Sequence, residues 1–270
     1  MSSISAIAQV WSSSPFPEVA ALLLGLLIGS FANVCIHRIP IEESVVHPPS
    51  RCPSCGALIG PLDNVPVLSF VLLRGRCRSC RARISPRYPL VEATNGLLWM
   101  GLVAWRGPSL QTLVALVLMT TLLVLSLIDL DHFLLPDVIT LPGIAVGFAA
   151  SFLPGSPLTP FQSAAAALGA YLTCLVIAKA FKRIRGIEGL GQGDWKMAAL
   201  LGAFLGWQEA LLTFFLASLL GTLIGIGLIL FRGRAARARL PLGTFLGIVG
   251  ILVVFMGAPV IAWYGSLLRD

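Results

Sequence analysis

Charge is scarce in this sequence. Only 11% of its 270 residues are Asp, Glu, Lys or Arg, while 57% are hydrophobic and the mean hydropathy is +0.90. A soluble domain carries about 25% charged residues. A single core cannot hide this much apolar surface, so a soluble globular class is excluded and an integral membrane protein is expected. Basic residues are missing from the first 36 positions. A secretory signal opens with a positive segment, so the first apolar run is expected to persist as a helix. A dinucleotide-type glycine fingerprint is also missing, since "GSFANV" lacks the G-x-G-x-x-G spacing. No internal repeat of the kind many transporters show is visible, which argues against a proton-relay carrier.

Long apolar runs are abundant. A membrane-crossing helix needs about 20 mostly apolar residues. Eight candidate spans occur at roughly 17–36, 88–105, 110–128, 134–153, 161–180, 194–207, 209–231 and 243–264. The sixth is short. The fourth contains Pro136 and Pro142, which predicts an irregular entry. With eight spans, the connections on one side are 37–87, 129–137, 179–196 and 232–242, carrying 8, 0, 5 and 4 Lys/Arg; Arg106 and Arg269 lie opposite. The positive-inside rule places the basic side in the cytoplasm and both termini outside. The net charge of +7 is then what topology demands, and no nucleic-acid partner is expected.

The one sizeable polar segment, 37–87, contains "RCPSCGALIG" and "RGRCRSCRARI". Cys52, Cys55, Cys77 and Cys80 form two C-x2-C pairs separated by 21 residues. That spacing fits a four-thiolate zinc ribbon, with Gly56 suited to a knuckle turn. Two disulfides would satisfy the same count, but a cytoplasmic loop keeps its thiols reduced. A loop with few large apolar side chains needs such a staple. Cys35 and Cys174 lie in apolar spans and read as small packing residues.

The acidic residues number only twelve. Asp129 ends the run "LLVLSLI", and Asp194, in "GLGQGDWKMAALLGAFLG", begins another. In the topology above both lie at one depth, just inside the cytoplasmic face. Two carboxylates that converge there share a proton. One can take a proton from water while the other polarises a carbonyl, the arrangement of an aspartic protease. Spacing alone also permits Asp194 as a helix cap and Asp129 as a solvated loop residue. Gly191 and Gly193 are expected to turn the backbone so that Asp194 starts a helix. Asp131 falls on another helix face, Asp137 fits the cap of the fourth span, and His132 reads as a boundary residue. Glu92 is expected to face the bundle interior. Lys196 either snorkels to the interface or orients an acidic group of a substrate, and Glu188 is available to offset a basic one.

The motifs "GSFANVCIHRIP" (29–40), the paired cysteines, "ISPRYPLVEATNG" (84–96), "SLIDLDHFLLPDVITLP" (126–142) and "GIEGLGQGDWK" (186–196) follow one another along nearly the whole chain. Together they resemble the bacterial type IV prepilin peptidases, also called leader peptidase/N-methyltransferases. Ile187 stands where similar sequences often have Lys, and "LPLGTFLG" replaces a common P-F-G-P-F-L. The resemblance implies an intramembrane aspartic endopeptidase. Its catalytic pair falls on Asp129 and Asp194, and its substrates are prepilins or pseudopilins cut after a glycine at the cytoplasmic face of the inner membrane. It also implies methylation of the new N-terminal amine, often on Phe, with S-adenosylmethionine, an activity associated with the cytoplasmic loop. No motif marks the methyl-donor site, which is expected only within 37–87 and adjoining helix ends. The alternatives are a peptidase without methylation, or a non-enzymatic assembly platform. The expected fold is an all-α polytopic membrane protein of about eight transmembrane helices. Residues 1–36 form a first transmembrane helix with an outer N-terminus, 37–87 a cytoplasmic zinc-ribbon-like insertion, and 88–270 an aspartic peptidase bundle.

Overall fold

The computed structural model describes residues 15–187, 189–232 and 240–267. Glu188 lies outside the described residues. Among the described residues eight α-helical segments follow in order: α1 (Phe16–Arg38), the short α2 (Leu68–Leu72), α3 (Arg87–Arg106), α4 (Leu110–His132), α5 (Asp137–Ala150), α6 (Pro160–Arg185), α7 (Gln192–Arg232) and α8 (Leu242–Leu267). Among the described residues β-structure is limited to two isolated bridges. The chain is therefore all-helical, as expected.

Helices α1, α4, α6, α7 and α8 are each long and apolar enough to cross a membrane, which makes this a multi-pass membrane protein. All eight apolar runs fall on helices. However, α5 has only 14 residues, α3 does not combine the required length and hydropathy, and two of the expected spans lie within α7. That 41-residue stretch is two helices that meet at Gly206, whose φ of 78° and ψ of 177° are non-helical and open to glycine. Pro136 precedes α5 with an extended ψ of 133°, and Pro142 lies inside the helix. Large apolar side chains face outward along these helices, among them Leu23, Leu27 and Phe31 on α1 and Phe215 on α7. Lipid is the solvent such faces suit.

The chain divides into two compact units, Met1–Leu116 and Val117–Asp270. In the first, α1 packs along α3. Gly25 and Gly29 lie one turn apart on α1 and allow the approach. A Cβ on Gly25 would fall 2.8 Å from Trp99 Cβ, and one on Gly29 would fall 2.9 Å from Glu92 Cα. Small residues at this spacing let helices meet where no hydrophobic effect draws them together. Asn95 Nδ2 then donates to the Gly25 carbonyl at 2.7 Å, and Asn33 Nδ2 to the Tyr88 carbonyl at 3.0 Å. The polar segment between α1 and α3 sits on the ends of this pair, tied to it by Val67 and Glu92.

In the second unit α7 is the hub, packing against α5, α6 and α8. A Thr159–Gln162 capping box opens α6 and left-handed Gly186 ends it. Ser163 donates to the Ala203 carbonyl at 2.7 Å, binding α6 to α7. About half of the most apolar stretch of α8 is buried, against 11% for α7. The core around α8 is therefore dense, while much of α7 faces outward.

Candidate active site and metal centre

Asp129 lies in the last turn of α4 and is only 6% exposed. Its carboxylate meets the start of α8. The Thr244 backbone N–H donates to Asp129 Oδ2 at 2.8 Å, and the Thr244 hydroxyl lies 3.3 Å from the same oxygen. That hydroxyl also reaches the Ser126 carbonyl at 3.0 Å. The first amides of a helix have no intrahelical acceptor, and the helix dipole favours an anion there. The packing leaves no room for a side chain at Gly243, where a Cβ would lie 2.9 Å from Asp129 Oδ2 and 2.9 Å from Leu135 Cδ1.

Asp194 lies in the first turn of α7, half-buried, and its Oδ2 accepts the Gly191 N–H at 3.0 Å. The glycines work differently from the turn expected of them. Neither Gly191 nor Gly193 has positive φ. Gly193 instead supplies space, since a Cβ there would fall 2.8 Å from Leu135 Cβ. Leu135 thus packs against both Gly243 and Gly193, the residue before Asp194.

The neighbouring ionisable residues separate from this pair. Asp131 and His132 are exposed. Asp137 is the first residue of α5, after Pro136 at the N-cap position. Its two oxygens accept from Lys196 Nζ at 2.6 and 2.8 Å. Lys196 thereby joins the starts of α5 and α7 through an ion pair whose Asp137 end is exposed.

In the first unit, the ligand atoms of Cys52, Cys55, Cys77 and Cys80 all lie within 4.8 Å of one another. The two C-x2-C segments adopt one pattern. Cys52 N–H donates to the Ala57 carbonyl and Gly56 N–H to that of Cys52; Cys77 N–H donates to Ala82 and Arg81 N–H to Cys77. Bridges Arg51–Leu58 and Arg76–Arg83 close both knuckles. Each turn needs a left-handed residue. Gly56 supplies one at φ 70°, as its sequence position suggested, whereas the second knuckle uses Arg81 at φ 60°. The N–H groups of Ser54 and Cys55 donate to the Cys52 sulfur and pull its thiol down to about 6. All four thiols are free, and this donor set can hold a metal ion. Beside it Arg78 pairs with Asp63 at 2.6 Å and holds that carboxyl below its usual range.

A cavity of about 470 Å³ lies in the same unit, walled by α1, α3 and the cysteine segment. Glu92 lines it, as do Ser30 and Asn33. No sequence motif announced this space.

Comparison with known proteins agrees with this division. Residues 23–106 match the bacterial peptidase A24 N-terminal domain, and residues 116–226 match the type IV leader peptidase family. Among curated relatives, the prepilin leader peptidase/N-methyltransferase of Aeromonas hydrophila is 40% identical, with 90% of this chain and 91% of that protein aligned. The chain belongs to the type IV leader peptidase family. The family member of the same name from Pseudomonas putida is 42% identical, again covering 90% of this chain and 91% of its own. Another family member, from Myxococcus xanthus, is 41% identical over 82% of this chain and 66% of its own length. No solved structure matches the chain.

In this type IV leader peptidase the clearest residue missed by sequence reasoning is Thr244. It lies 115 positions from Asp129, within a stretch that read only as a departure from a common motif. A short polar residue among the first residues of an apolar helix was the available signal.

Proposed function

We propose that this chain is an intramembrane aspartic endopeptidase. It cuts the basic leader from prepilins or pseudopilins after a glycine, and it methylates the new N-terminal amine. The pairing of Asp129 with the first turn of α8, against the same Leu135 that abuts Gly193, is the observation that carries the first activity. Asp129 and Asp194 share a proton. One carboxylate takes a proton from water as its oxygen attacks the scissile carbonyl, and the other donates a hydrogen bond to that carbonyl. They titrate as a pair, so neither has a pKa of its own. Thr244 fixes the orientation of Asp129. The positive-inside bias supports a cytoplasmic site in the inner membrane, where a prepilin's apolar segment stays in lipid and its glycine meets water.

Zinc is the metal the four cysteines suit. A tetrahedral Zn–S bond length of about 2.3 Å spaces the sulfurs about 3.8 Å apart. Cys52 and Cys80 sulfurs lie 3.8 Å from each other, far beyond the roughly 2.05 Å of a disulfide. The metal's role is structural, closing the two knuckles around one point. S-adenosylmethionine supplies the methyl group. The 470 Å³ cavity has the capacity of an ordinary small-molecule site, about 300–1,000 Å³, and lies in the segment expected to serve methylation.

The test incubates purified protein with a prepilin and labelled S-adenosylmethionine, then weighs the mature N-terminus. The proposal expects leader removal plus one methyl group. Cleavage that survives Asp129→Asn or Asp194→Asn removes the aspartic mechanism, and an unmethylated product in the native enzyme removes the second activity.

A further inference from the structure

Glu92 is the one carboxylate lining the cavity without a basic partner. The other, Asp63, is held by Arg78. Among the described residues no Lys, Arg or His pairs with Glu92, although its side chain is buried on α3. Burying an unpaired carboxylate is costly, and an amide of the same shape would make the same local contacts without that cost. The site is also closely fixed. Gly29 packs on the Glu92 backbone. Ser30 on α1 hydrogen-bonds the carboxylate, and the Val67 N–H donates to its Oε2 at 2.8 Å. Val67 reaches that position with φ 60° and ψ −48°, a conformation that is strained for a β-branched residue. Two elements and a strained loop residue therefore aim one carboxylate into a cavity without a direct ion pair, although His37, Arg38, Arg51 and Arg83 also line that space.

Resting on the methyl-transfer reading above, we infer that Glu92 binds the α-ammonium group of the cleaved peptide and takes its proton. A carboxylate offers about four acceptor positions, and two are filled. An ammonium brings N–H donors that fit the remainder; the sulfonium of a methyl donor has none. The ammonium transfers one proton to a Glu92 oxygen, giving a neutral amine and a carboxylic acid. The amine's lone pair forms the new C–N bond while the methyl–sulfur bond breaks, and that electron pair stays on sulfur as a thioether. The peptide leaves as a methylammonium, and Glu92 returns its proton to water.

Binding tests this without any methyl donor. A synthetic peptide with a free N-terminal Phe and a pilin-like apolar segment is compared with its N-acetylated form on the full-length enzyme. A charged hydrogen bond should favour the free amine by about tenfold. In Glu92→Gln that ratio should fall to about one, and methylation should drop while zinc content and prepilin cleavage persist. An unchanged ratio in Glu92→Gln, or no preference in the native enzyme, overturns the inference. A native enzyme that prefers the free amine but never methylates it sinks the methyl-transfer reading and leaves the cation site standing. If Glu92→Gln loses its zinc and its cleavage, Glu92→Asp decides. It should keep a preference for the free amine and methylate more slowly; native methylation, or no preference, in a folded Glu92→Asp overturns the inference.

Discussion

The two units of this chain keep polar groups in place by opposite means. In Val117–Asp270 the carboxylates are set by close packing. Gly193 and Gly243 leave room only for Leu135 and the Asp129 oxygen, and helix ends supply the hydrogen bonds. In Met1–Leu116 the polar segment has little core of its own. Leu58, Leu62, Val71 and Leu72 are exposed, and the order comes from four converging cysteines, a surface ion pair and backbone turns held at positive φ. The first arrangement suits chemistry that needs two groups at a fixed separation. The second suits a domain whose folding is linked to a metal and whose cavity admits a soluble ligand. The proposed function places the two activities on different units, which predicts that they can be damaged separately.

The strongest way to break that assignment is at the dyad. Asp129→Asn or Asp194→Asn should reduce prepilin cleavage by at least about a thousandfold, toward the upper end of what positioned acid–base groups contribute. Asp131→Asn should matter little, as its carboxylate is exposed. Rates on a purified prepilin check both; an active Asp129→Asn would move the site elsewhere. Next in size is Cys52→Ser with Cys77→Ser. Zinc should be lost and the ribbon unfolded, with methylation falling at least about tenfold further than cleavage. The measurement is the methylated fraction of mature product, together with elemental zinc. An unchanged fraction would detach the ribbon from methyl transfer.

Smaller changes sharpen the contrast. Thr244→Val removes the hydroxyl but keeps the backbone N–H, so cleavage should slow by about tenfold or less, the worth of about one hydrogen bond. Methylation of a leaderless pilin should not change, and a parallel loss there would show that the variant damages more than the dyad. The smallest effects distinguish the two knuckles. Gly56→Ala should destabilise the ribbon by about 1 kcal/mol and Arg81→Gly should stabilise it by a similar amount, because both positions are left-handed. The chelator concentration that strips zinc should move in opposite directions in the two variants.

Much of the fold was legible because apolar length and cysteine spacing are local signals. Every apolar run lies on a helix, and the four cysteines converge. The boundary expected between spans at 207–209 falls beside Gly206, where φ 78° and ψ 177° leave helical geometry and separate two helices within Gln192–Arg232. The expected pairing of Asp129 with Asp194 followed from their shared depth. What orients Asp129 did not, because Thr244 acts from a distant helix end through a backbone amide that any residue carries. Gly193 was read for its conformational freedom, whereas the structure uses its missing side chain. Glu92 was expected to face inward. Its partner, the Val67 N–H, depends on a backbone conformation that a β-branched residue rarely adopts and no pattern announces. Lys196 and Asp137 were each considered alone, and their pairing depends on how α5 and α7 pack.

The separation of the two chemistries is tested most directly by giving Asp129→Asn enzyme a leaderless pilin and labelled S-adenosylmethionine, and weighing the product. The account predicts one methyl group added at close to the native rate, by an enzyme that leaves intact prepilin uncut. An Asp129→Asn enzyme that is folded, holds its zinc and still fails to methylate leaderless pilin would contradict it.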